Sequence, residues 1–191
     1  RLRVPYYINI APDRDLLVAL NYMSSRGMVY EGKYRQLIKP KITEDLDHSL
    51  FETETHYLFD DKMTSLNRWL INTSIELDVS EKTNLSAKYY RVSDAKYFEE
   101  IARINTDVDE LKSHFKFSFD DSDKHLGVTI LTENEQVVNA GTPVYTRALE
   151  GSISKTFNAD KKLPISVSVV STKFAHDTPG KESGVRTHAN L

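Results

Sequence analysis

Residues 51–57 read Phe-Glu-Thr-Glu-Thr-His-Tyr, and their strict alternation is the clearest structural signal in the chain. Side chains of a strand point to opposite faces with period two. Phe51, Thr53, Thr55 and Tyr57 therefore share one face, and Glu52, Glu54 and His56 share the other. Outward from this stretch the same signal recurs. Val4–Ala11 suits a strand that Pro5 confines to a sheet edge or to its first residues. Ile75, Leu77 and Val79 alternate with Glu76 and Asp78, and Ala87–Val92 returns after a turn over 80–84, which makes a hairpin. Beyond residue 113 period two dominates, with Phe115, Phe117 and Phe119 opposite His114, Lys116 and Ser118. Val128 and Ile130 lead into a polar turn over 132–136, and Ser152–Phe157 and Ile165–Phe174 supply further strands.

Helical spacing competes in three places. Leu16, Leu17, Leu20 and Met23 follow Pro12-Asp13 and precede Gly27. Met63, Leu66, Trp69 and Leu70 follow Asp60-Asp61, and Tyr97, Phe98, Ile101 and Ile104 follow Ser93. Each group fits a capped amphipathic helix. A short fourth piece over 108–113 would follow the capping box Thr106/Asp109. The fold expected is therefore α+β. Residues 1–110 form a mixed part with two or three helices, 111–175 an antiparallel β-rich sandwich or open sheet, and 176–191 a flexible or extended tail. The stretch 39–48, with Pro40 and mixed charges, reads as a surface connection.

Composition narrows the chemistry. The 191 residues carry 25 basic and 28 acidic side chains, a net charge of -3, with 39% hydrophobic residues. That mixture buries a core, and it lacks the basic excess of a protein that neutralises many phosphates, so nucleic acid is an unlikely partner. Cysteine is absent, which excludes disulfides, thiolate metal sites and a cysteine nucleophile. No apolar run approaches the roughly 18 residues of a spanning helix, and no signal-peptide core is present. A start at Arg1 rather than methionine is expected of a processed chain or of a piece of something longer. The class expected is soluble, cytoplasmic or particle-associated.

Chemical motifs are sparse. No G-x-S-x-G elbow, H-E-x-x-H pair, Walker loop or G-x-G-x-x-G occurs among seven glycines. Two acidic stretches are the candidates for a divalent cation. Asp45 to Asp61 contains Asp45, Asp47, His48, Glu52, Glu54, His56, Asp60 and Asp61, and Glu52, Glu54 and His56 would project from one strand face about 7 Å apart. The alternative is the charged, solvated face of an edge strand. Asp120–His125 places Asp121, Asp123 and His125 at alternating positions like a calcium loop. Leu126 then stands where that loop needs glycine, and a polar turn explains the same residues. No cofactor is expected beyond that cation.

Tyrosine is frequent, and Tyr89-Tyr90 must send one ring to each face of a strand. With His176 and Arg186 of the polar tail, these are the candidate partner-binding residues. The function expected is a non-enzymatic structural or interaction subunit of a larger assembly, with a viral or phage particle component as one form of it. Other protein subunits, including further copies of this chain, would be its partners. The competing expectation is a metal-dependent hydrolase or nuclease on Glu52, Glu54 and His56.

Overall fold

A computed structural model describes residues 1–38, 49–102, 109–138, 145–159, 163–176 and 178–191. It overturns the α+β expectation. The chain is 72% strand and 4% helix, and no helix reaches seven residues among the described residues. In chain order the strands are β1 Leu2–Ala11, β2 Arg14–Met23, β3 Gly27–Ile38, β4 Ser49–Leu58, β5 Arg68–Ser80, β6 Thr83–Val92, β7 Glu110–Asp121, β8 Leu126–Val137, β9 Thr146–Phe157, β10 Ile165–Ala175 and β11 Gly184–Asn190. They form one sheet in which spatial order equals chain order, each strand antiparallel to the next.

The helical readings fail in different ways, and in β2 the cause is hidden alternation. A strand that carries apolar side chains on both faces loses its polar half, and its apolar run then imitates a helix. In β2, Leu16, Val18, Leu20 and Tyr22 line one face while Leu17, Ala19 and Met23 line the other. Residues 59–67 are an irregular connection, with Trp69 and Leu70 opening β5 towards opposite faces. The segment after Ser93 winds into a single π-helical turn, Phe98–Ala102. Its stripe is nevertheless the expected one, because Tyr97, Phe98 and Ile101 are all buried. Residues 110–113 start β7 instead of a helix, and 132–136 lie within β8 instead of a turn. Residues 39–48, Ile104 and Thr106 lie outside the described residues.

Where the chain packs, it does so at one end of the sheet. Met23, Val29, Leu58, Leu70 and Val92 sit at the ends of five consecutive strands, and Tyr97, Phe98 and Ile101 fold down onto them. Gly27 begins β3 at φ +123°, and a Cβ there would lie 3.4 Å from Leu58 Cδ1, so the turn into the core needs glycine. The β6–β7 ladder stops at Lys88 opposite His114. Beyond it the Gln136 side chain takes over, accepting from the Val92 amide at 2.9 Å and donating to the Val92 carbonyl at 2.8 Å.

The rest of the sheet is a single layer. The surface measures 12,704 Å², against roughly 9,300 Å² for a compact monomer of this mass. A layer this open needs something else to cover it. The small core should still carry much of the intrinsic stability. Leu58→Ala and Ile101→Ala are each expected to cost about 2–5 kcal/mol, because neither cavity can collapse against a ladder. Urea unfolding measures this, and an unchanged midpoint would remove the core from that role.

Candidate functional site

Register sorts the side chains onto two unlike faces. On the first, Val4 lies opposite Leu20, Leu20 opposite Tyr30, Tyr30 opposite Tyr57, and Tyr57 opposite Trp69. The same face continues through Ile71 and Ile75, Leu85 and Tyr89, Phe115 and Phe117, Ile130, Ile153 and Val169 to Ala189. Many of these are left open: Val4 is 57% exposed, Leu20 49%, Phe115 45%, Ile130 42% and Ile153 50%. An apolar patch that runs across eleven strands is far larger than a soluble monomer normally leaves in water.

The second face is polar and laced with charge pairs. Arg3 bonds Glu31 at 2.7 Å, Asn21 donates to Glu31 at 2.6 Å, and Arg35 grips Asp15 through two nitrogens at 3.0 and 2.8 Å. Farther along, Arg147 makes a bidentate pair with Glu133 at 2.7 and 2.8 Å, and Thr172 donates to Glu150 at 2.8 Å. Such a fork fixes both side chains in one geometry. The segment 93–102 lies over this polar face at the core end, where the Tyr97 hydroxyl meets His56 Nδ1 at 3.1 Å.

The sequence-predicted ligands Glu52, Glu54 and His56 fall on the polar face, and β4 is an interior strand rather than the edge expected of it. Glu52, Glu54 and His56 lie opposite Arg35, Lys33 and Glu31 of β3. Two of the facing groups are cationic, and Glu54 Oε1 contacts His56 Nε2 at 3.1 Å. Asp121 and Asp123 sit at the other end of the sheet, both held by Lys82 Nζ at 3.0 Å, and the Lys124 amide also donates to Asp121. His125 takes φ 49° in the turn that follows. Those two aspartates hold the Lys82 ammonium above its usual range. Among the described residues no group of three or more histidines and carboxylates has the arrangement to hold a metal ion.

Of the candidate contact residues, Tyr89 is half exposed on the apolar face, while Tyr90 turns inward, edge-on to Phe98 at 6.2 Å. His176 packs against Tyr145 at 4.8 Å, and Arg186 lies exposed on β11, opposite Thr172 of β10. The structure does not bring these four together.

Sequence reading missed the best-built polar cluster, which joins three connections at the core end. Asp61, with a fully buried side chain, receives Arg26 NH1 at 2.5 Å and Arg68 NH1 at 3.4 Å. Glu100 bridges the same two arginines at 2.8 and 2.6 Å, and Asp94 takes the Arg68 fork at 2.9 and 2.7 Å. Burial opposes ionisation of Asp61, but the Met63 amide and the two guanidinium groups outweigh it and hold its carboxyl below the usual range. Asp94 is lowered in the same way, with Arg68 and Ser93 overcoming burial.

Because both folded-state pKa values are depressed, this stabilisation is present above the ordinary carboxylate range and is lost as pH falls through the lowered values. The urea midpoint should therefore hold from pH 7 to about pH 5 and decline below about pH 4. Asp61→Ala should lose about 1–3 kcal/mol at pH 7, since it removes one shared acceptor from two buried guanidinium groups that Glu100 and Asp94 still hold, and its acid limb should be shallower. Identical acid limbs in the two proteins would refute the assignment.

No family model matches the chain. Similarity to known proteins comes from LPS-assembly proteins named LptD. The protein from Shewanella sp. MR-4 is 28% identical across 96% of this chain and 24% of its own length. The Cupriavidus necator protein is 33% identical over 53% of this chain and 12% of its own, and that of Pseudomonas entomophila 27% over 52% and 10%. The chain spans at most about a quarter of the length of these relatives. They correct the expectation of a soluble, cytoplasmic or particle-associated protein. They give no support to a phage component, a metal-dependent hydrolase or a homo-oligomer.

Proposed function

We propose that this chain is a run of membrane-spanning strands from the β-barrel of an LPS-assembly protein, with the apolar face against lipid and the polar face lining the interior. One observation carries the reading. An eleven-stranded meander sends nearly all its exposed large apolar strand side chains to one face and its charge pairs to the other. That is the alternation a transmembrane barrel needs, apolar outward and polar inward. Among the described residues no helix is long and apolar enough to cross a membrane, which does not bear on the reading, because strands can cross instead.

Dimensions agree. The strands run mostly to 10–13 residues. Ten residues rise about 33 Å, which a tilt near 40° brings to about 25 Å, the height of the apolar band in such barrels. Tyr30, Tyr57 and Trp69 form one directly paired row near the end of that band, where amphipathic rings favour the lipid–water boundary. The β1 and β11 edges need further strands to close a barrel, and the similarity to much longer relatives is consistent with those strands belonging to the same polypeptide. In assembly, the polar face would serve as a hydrophilic wall for the sugar and phosphate portions of lipopolysaccharide. Other protein subunits would then meet the chain at its ends or edges rather than on its lipid face.

A charge at an exposed site distinguishes this reading from any soluble one. Ile130 points to the apolar face near the middle of β8, and its neighbour Thr129 to the polar face. In lipid vesicles Ile130→Arg should cost about 2–4 kcal/mol and Thr129→Arg much less. A soluble protein would tolerate the first within about 0.5 kcal/mol. Equal, small effects at both positions in folding titrations would defeat the proposal.

A further inference from the structure

Resting on the lipid-facing reading, we propose that the 59–67 connection is a membrane-interface anchor, inserting Phe59, Met63 and Leu66 among interfacial lipids beside the Tyr30–Tyr57–Trp69 row. Those three side chains are 61%, 64% and 63% exposed, and they crowd a nine-residue segment. Exposed apolar residues on a loose loop would mean little. This loop is built.

Its backbone closes on itself. The Thr64 and Ser65 amides donate to the Asp61 carbonyl at 3.0 and 2.7 Å, and the Asp61 amide donates to the Leu66 carbonyl at 3.0 Å. The Asp61 carboxylate caps the Met63 amide at 3.1 Å while buried against Arg26 and Arg68. The Lys62 amide donates to the Arg26 carbonyl at 3.0 Å, which ties the segment to the β2–β3 turn. Asp60 and Ser65 adopt left-handed φ values of 46° and 55°, a cost the surrounding bonds must offset. A fixed scaffold thus holds three large apolar groups outward.

What they meet is indicated by their neighbour. Phe59 packs at a tilt against Tyr57 with ring centroids 4.2 Å apart and meets Tyr30 edge-on at 5.8 Å. It therefore extends the lipid-facing surface past the end of the strands. Aromatic and apolar side chains at that level gain by leaving water for the headgroup boundary. Exposed Lys62, next to Met63, can place its ammonium among lipid phosphates while its stem stays with the apolar group.

The cysteine-free sequence allows a direct test. Single variants Met63→Cys, Leu66→Cys, Ile130→Cys and Glu81→Cys, each labelled with an environment-sensitive NBD dye, are folded into phosphatidylcholine vesicles. The vesicles carry or lack lipids with a nitroxide near the headgroup. Labels at 63 and 66 should be quenched by the nitroxide lipid at least twofold more than the label at 81 in the β5–β6 turn, and should resist aqueous iodide. If Ile130 senses lipid but 63 and 66 respond to iodide like 81, the anchor fails while the lipid-facing reading stands. Shielding of 63 and 66 from both quenchers would overturn the anchor in favour of a protein contact. A label at 130 that senses no lipid would sink both ideas.

Discussion

An antiparallel ladder satisfies the backbone completely between neighbours and leaves two side-chain faces to be covered. Little protein among the described residues of this chain covers them. Among the described residues the only second layer is the short segment 93–102, which covers the ends of five strands. Everything distinctive in the molecule follows from that shortage. The polar face can remain wet because its charges pair with one another across neighbouring strands, as Arg3 does with Glu31 and Arg147 with Glu133. The apolar face has no such internal solution, which is what the proposed lipid contact would supply.

The ionic cluster at the core end is the complement of that openness. Single layers are held mainly by their ladders, and connections between strands tend to be their least stable parts. Here Arg26, Asp61, Arg68, Asp94 and Glu100 link the β2–β3, β4–β5 and β6–β7 connections through one set of shared contacts. Removing one partner exposes the others, so the cluster behaves as a unit and not as separate surface pairs. Hydrophobic packing beneath it and charge pairing above it stabilise the same end of the sheet.

Much of the strand pattern was legible in the sequence. The faces of β4 and β7 were read correctly from 51–57 and from Phe115, Phe117 and Phe119, as was the hairpin between β5 and β6. The errors concentrate where alternation is hidden. In β2 the core presses on the polar side of the strand, so Leu17, Ala19 and Met23 erase the contrast with Leu16, Val18 and Leu20. Period 3.6 then fits an apolar run as well as period two does. The proposed membrane-facing role was not legible for a related reason. Spread over strands, the apolar residues never form a long run, and 39% hydrophobic content looks ordinary. The candidate metal residues were read from local acid density, which cannot reveal that Lys33 and Arg35 stand opposite them. The Asp61 cluster was invisible because its members are spread from residue 26 to residue 100.

Spatial order that equals chain order has a consequence for how such a sheet is made. Each new strand finds its partner in the one just before it, so no long loop must be closed to add it. The sheet can grow hairpin by hairpin from a single nucleus, with only its two outermost edges unsatisfied at any stage. Growth by this route exposes little mispaired backbone at a time, which limits aggregation of a chain whose finished sheet has one largely apolar face. A strand order with crossovers would surrender that protection.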